Sequence, residues 1–145
     1  MRPAFEIHFA GTLEGFEQAF GRLRLALDAE PLDAGPRYHV ELVFEEIVAN
    51  IVRHGAAGGR TPDVRVRLEL DADSIRLVFD DDGVPFDPRV RPEQPPRKAL
   101  EGAGGFGLLL VHRAASALDY LRTAEGHNRL TVTLPRVAGG ETARG

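Results

Sequence analysis

The stretch YHVELVFEEIVANIVRHG, residues 38–55, decides the fold. Val40, Val43, Ile47 and Ile51 recur at spacings of three and four, and Phe44, Val48 and Val52 widen the stripe. More than half the circumference of the resulting helix is apolar, so it lies largely buried. The helix is expected to start near Gly35-Pro36, where proline fits the first turn, and to end at Gly55. Within it Glu46, Asn50 and His54 follow one another by four and stack along one face. A carboxylate and an amide in the middle of an apolar helix need partners, because an unpaired buried polar group costs about 1–3 kcal/mol. The triplet reads either as a polar edge that meets solvent or as a cavity wall. In the second reading Asn50 offers an oxygen to a hard cation and Glu46 orients a nucleophile. His54, at the helix end, reads as a cap or a dipole partner.

On the N-terminal side, Phe5, Ile7 and Phe9 alternate with polar residues as in a half-buried strand. Thr12 can cap a helix running to Ala29, with a stripe of Leu13, Phe16, Ala19, Phe20, Leu23 and Leu27, and Glu30-Pro31 stops it. On the C-terminal side, Val64 to Leu70 and Ile75 to Phe79 alternate as two strands joined by the turn Asp71 to Ser74. A third helix is expected over LLLVHRAASALDYL (108–121), then strands near Asp119 to Thr123 and Leu130 to Leu134 around a turn at Glu125 to Asn128. This order predicts an α+β fold, a two-layer α/β sandwich whose mixed, mostly antiparallel sheet is covered on one face by three helices. One domain over 1–137 is expected, with a disordered tail over 138–145.

Composition narrows the function. The 145 residues include 43% hydrophobic and 28% charged side chains, as in ordinary globular proteins. The net charge of −4 argues against a general nucleic-acid binder, which needs a basic face for phosphates. Without a single cysteine, disulfides, thiol chemistry and cysteine-ligated zinc are excluded. No apolar run is long enough to span a membrane, and Met1 to Phe9 lack a continuous apolar centre. A soluble cytoplasmic domain is expected.

Two further segments carry candidate chemistry. Asp80-Asp81-Asp82-Gly83-Val84-Pro85-Phe86-Asp87 ends a strand, and three adjacent carboxylates repel unless something uses them. The run does not match a calcium loop, since Val78 stands where the first acidic ligand belongs; an acidic surface turn remains the simple alternative. Gly102 to Gly107 spells G-x-G-x-x-G, yet no strand precedes it, so a dinucleotide fingerprint is rejected. Glycines entering a helix still expose backbone N–H groups at its positive end, a site for anions, or else form a hinge. Between these segments the proline-rich stretch from Arg89 to Glu101 reads as a long loop, and loops beyond about 12–15 residues are usually functional or disordered.

The order of these motifs resembles the gyrase, histidine-kinase and MutL type of ATPase, and within it the anti-sigma-factor serine kinases. EEIVANIVRHG (45–55), DDGVPFDP (81–88), GGFGLLLV (104–111) and TVTLP (131–135) carry the resemblance. It implies ATP and Mg²⁺ as ligands. Asn50 would coordinate the metal, Glu46 would be the general base on a protein serine, and Asp81 would accept from the adenine amino group beside Gly83. Gly104, Gly105 and Gly107 would cradle the phosphates, with Leu108 opening the helix. Arg97 and Lys98 would reach the γ-phosphate from a lid over 87–104, and Thr131 would add a hydroxyl. Pro85 and Arg53 depart from the commoner pattern. The implied partner is a STAS-type anti-sigma-factor antagonist, with a sigma factor as a second candidate, and the family often forms homodimers. The rival expectation is a nucleotide-dependent module that sequesters a sigma factor or another regulator without essential catalysis.

Overall fold

A computed structural model of the chain describes residues 1–89 and 105–136. Its elements are β1 (Arg2–Ala10), α1 (Leu13–Asp28), α2 (Ala34–Ala57), β2 (Asp63–Leu70), β3 (Ser74–Asp81), α3 (Gly105–Ala114), β4 (Ala117–Arg122) and β5 (Asn128–Pro135). The strands form one sheet in the order β1-β2-β3-β5-β4. Every neighbouring pair is antiparallel, so the sheet lacks the parallel component that a mixed sheet would have. Helices α1, α2 and α3 pack on the face lined by Val64, Val66, Leu68, Ile75, Leu77, Phe79, Leu130 and Val132, which gives the two-layer α+β sandwich.

The apolar stripe of α2 does what its periodicity requires. Val40, Val43, Phe44, Ile47 and Val48 are buried, and Phe44 is the centre of an aromatic cluster. The rings of Phe9, Phe16, Phe20 and Phe79 surround it at 5.9–6.3 Å between centroids, the spacing at which aromatic pairs attract. On α1 the Thr12 hydroxyl accepts from the Gly15 N–H at 3.0 Å, capping the helix as its sequence suggests.

Two helix ends differ most from the sequence expectation. Helix α2 runs through Gly55 to Ala57 and is capped at Gly58. Gly55 is needed for close approach: a Cβ there would stand 2.4 Å from Pro62 Cδ. Helix α3 stops at Ala114, well short of residue 121. The Ser116 N–H and hydroxyl both donate to the Thr133 carbonyl, at 2.8 and 3.2 Å, and this turns the chain into β4. Leu118 and Tyr120 then alternate inward along that strand.

Candidate nucleotide site

Burying a polar side chain is costly unless its bonds are met, so where such residues cluster is informative. Among the described residues three polar or charged side chains are buried: Asn50 (4% exposed), Asp81 (6%) and Asn128 (6%). All three line one cleft that opens to solvent. Its walls are otherwise largely apolar, from Ile47 and Ile51 on α2, Phe79 on β3, Leu130 on β5 and Val84 and Phe86 in the loop after β3. That composition suits a small organic ligand held by a few placed polar groups.

The three adjacent aspartates each have their own use. Asp80 accepts from Arg129 and pairs with His127 Nδ1 at 2.6 Å on the sheet's other face. Asp82 accepts from the Asp63 N–H at 2.8 Å and pairs with Arg60. Asp81 alone turns into the cleft: its Oδ1 accepts from the Gly83 N–H at 2.8 Å and Asn128 Nδ2 at 3.1 Å. Its Oδ2 has no partner among the described residues. Burial pushes the Asp81 carboxyl up, and those two hydrogen bonds pull it back.

On α2 the face of Glu46, Asn50 and His54 meets both the cleft and α3. His54, expected as a cap or dipole partner, instead lines the cleft and stacks on Phe86 with centroids 3.9 Å apart. Burial holds its imidazole below the ordinary histidine range, and the Arg53 charge adds to this. Arg53 also donates from Nη2 to Asn50 Oδ1. Glu46 lies one turn earlier, and its carboxylate presses against the first turn of α3, where a Cβ on Gly107 would come 1.7 Å from Oε1. Burial raises the Glu46 carboxyl, Glu45 raises it further, and Arg53 acts in the opposite direction.

Asn50, Asp81 and Gly83 therefore share one cleft, with Glu46 and Gly107 in contact beside it. Gly105 opens α3, and Leu108 packs its side chain on the core. Arg97, Lys98 and Gly104, with most of the proposed lid, lie outside the described residues. Thr131 is not brought to the cleft. It alternates with Leu130 and Val132, which face the helices, and pairs with Val78 on the opposite sheet face. The polar residue that β5 contributes is Asn128, which the sequence reading missed, as it missed Tyr120. Counting back by two from Leu134, Val132 and Leu130 reaches Asn128, so parity was the available signal.

The donor set bears on Mg²⁺. Among the described residues no three histidine or carboxylate groups gather to hold a metal. The Asn50 amide oxygen accepts from the Arg53 guanidinium in this structure. It would serve as a single hard ligand once Arg53 turned away, for an ion that keeps most of its coordination from phosphates and water, which is the usual Mg²⁺ arrangement. With that exchange of Arg53 for the ion, the residues present fit a metal that arrives with its nucleotide.

A helix bearing a buried amide, an Asp-x-Gly loop and a glycine-opened helix, set around one cleft on the covered face of an antiparallel sheet, define an ATPase-type nucleotide domain. The chain belongs to the histidine kinase-like ATPase domain family, whose sequence profile matches residues 9–134. That family implies ATP binding, usually with Mg²⁺. Among solved structures, the SiaB–SiaC complex from Pseudomonas aeruginosa contains a chain with the same fold. The TM-score is 0.67 at 18% identity, over 92% of this chain and 90% of that one. No curated protein matches the chain in sequence. No helix among the described residues is long and apolar enough to cross a membrane.

Proposed function

We propose that the protein is an ATP-dependent serine kinase of the anti-sigma-factor type, acting in the cytoplasm on a serine of a STAS-type antagonist. The observation that carries this reading is the position of Glu46: a partly buried, raised carboxylate one turn from Asn50 and against the first turn of α3. Adenine would sit between the His54–Phe86 stack and Asp81, with its phosphates toward Asn50 and the start of α3, where Arg53 adds positive charge. Mg²⁺, when bound, would neutralise charge on the phosphates. Glu46 takes the proton from the serine hydroxyl as the serine Oγ–P bond forms and the bond from the γ-phosphorus to the bridging oxygen breaks, releasing ADP.

The test mixes protein, Mg-ATP and a candidate antagonist and looks for phosphoserine by mass spectrometry. Transfer to one serine supports the reading. Nucleotide-dependent capture of the antagonist without transfer supports the sequestering alternative. The comparison with the SiaB–SiaC complex favours attention to that outcome, since there a chain of the same fold is found with another protein.

Gly107→Ala probes the same corner. The atoms that a Cβ would strike belong to the end of the flexible Glu46 side chain, so Glu46 moves and the fold survives. The expected result is unfolding stability within about 1 kcal/mol of wild type, measured by denaturant titration, with phosphoryl transfer reduced at least about tenfold. Wild-type transfer would show that Glu46 need not stay where it is.

A further inference from the structure

We propose that Asn128 is a positioning residue that sets which purine the cleft accepts, by holding Asp81 so that one carboxylate oxygen faces the base as an acceptor. The inference rests on the nucleotide reading above and adds a residue and a selectivity to it. Asn128 opens β5 directly opposite Asp81 in the β3–β5 register. Its amide uses every bond it can make. Nδ2 donates to Asp81 Oδ1 at 3.1 Å and to the Val84 carbonyl at 2.8 Å. Oδ1 accepts from the Phe86 N–H at 3.2 Å and from the Tyr120 hydroxyl at 2.5 Å.

These four contacts fix the direction of the amide. Turned over, its oxygen would face a carboxylate and a carbonyl while its NH₂ faced the Phe86 N–H, so three contacts would set like against like. With the nitrogen end on Asp81, the carboxylate's Oδ1 receives two donors, from Asn128 and Gly83. That leaves Oδ2 for the cleft, where an acceptor takes an exocyclic amine and refuses a ring carbonyl. The same amide ties down Val84 and Phe86, so the wall that stacks on His54 and the acceptor that would read the base edge are set by one side chain.

The charged and titratable groups around Asp81 come from every neighbouring element. His54 faces it from α2, Asp80 and Asp82 flank it on β3 and beyond, and Tyr120 reaches it through Asn128 from β4. On the β2 side Arg60 and Asp63 hold Asp82, and Arg122 donates to the Gly83 carbonyl. None of these donates to Asp81 Oδ1 among the described residues, so its loss of a donor in an Asn128 variant is not made good by a neighbour.

The test is isothermal titration of wild type, Asn128→Leu and Tyr120→Phe with ATP, GTP and purine riboside triphosphate, which lacks the 6-amino group. In wild type ATP binds at least about tenfold tighter than the purine analogue, as a hydrogen bond to a charged group predicts. In Asn128→Leu the analogue binds within about threefold of its wild-type affinity, while the ATP advantage falls to about threefold or less and GTP gains on ATP. Tyr120→Phe moves the same ratios part of the way, and carries the test if Asn128→Leu does not fold. In the nucleotide-free protein, ¹³C NMR of the Asp81 carboxyl shows its titration moved to higher pH in Asn128→Leu, because a donor to the ionised form is gone. An unchanged ATP-to-analogue ratio in a folded variant, or a uniform loss for all three nucleotides, overturns the proposal while the nucleotide reading stands. A wild-type protein that binds none of the three overturns both.

Discussion

On the proposed kinase reading, replacing Glu46 by glutamine should remove phosphoryl transfer and leave a folded, ATP-binding protein. A positioned general base contributes about 10²–10⁴-fold, and glutamine keeps the size of the side chain while losing its basicity. The proposed adenine wall and Asp81 are untouched, so ATP affinity, measured by titration, should stay within about threefold of wild type. The variant also has a thermodynamic signature. Burial raises the Glu46 carboxyl in the folded state above its ordinary range. The stability it contributes is therefore fully present below that range and is lost as pH rises through the folded value. The ionised side chain is a burden near neutrality, where Arg53 only partly offsets it. Glu46→Gln should then melt at or above the wild-type temperature at about pH 7–8, with the difference closing toward about pH 4 as wild-type Glu46 takes up a proton. Transfer at the wild-type rate would remove Glu46 from the chemistry; a pH-independent difference in melting would show that its burial is not what shifts it.

Much of this fold can be read locally, and the exceptions are instructive. The 3–4 spacing of Val40 to Ile51 specified a buried helix because periodicity and burial are the same fact for a helix packed on a sheet. The cluster of Asn50, Asp81 and Gly83 was anticipated through the family resemblance of the motif order; taken singly, the buried amide, the repelling carboxylates and the backbone turn each left a simple surface alternative open. What escaped depended on register. Asn128 lies at the end of a turn-like Glu-Gly-His-Asn run, where asparagine has a ready local explanation. Only its pairing with Asp81 across β3 and β5 reveals the cleft-facing role. Thr131 was the mirror error, since a shift of one residue moves a side chain to the other face. Helix α3 looked longer than it is because ALDYL suits a helix as well as an edge strand, and the bonds from Ser116 to Thr133 that decide between them are non-local. His54 looked like a terminal residue because Gly55 looked like a stop; Pro62, seven residues on, is what Gly55 accommodates.

Asp81→Asn should reverse the preference of the cleft from amino to keto purines. The Asp81 Oδ1 position is set by two converging donors, the Gly83 N–H and Asn128 Nδ2. A carboxamide in that place can meet both only with its oxygen, so its NH₂ turns toward the cleft where Oδ2 stood. A donor there repels the adenine amine and pairs with a ring carbonyl. The lost charge-assisted bond is worth about 1.5–3 kcal/mol, so ATP affinity should fall about 10- to 150-fold while GTP affinity rises, as read by competition against a fluorescent nucleotide. Stability moves the other way. Because burial raises the Asp81 carboxyl, its ionised form is a cost that grows as pH rises through the folded value. The neutral amide removes that cost, so the variant's melting temperature should gain on wild type with increasing pH. A stabilised protein that no longer favours ATP is the mark of a residue kept for its ligand at the expense of the fold. Unchanged ATP affinity in a folded Asp81→Asn variant would mean that this carboxylate does not meet the base at all.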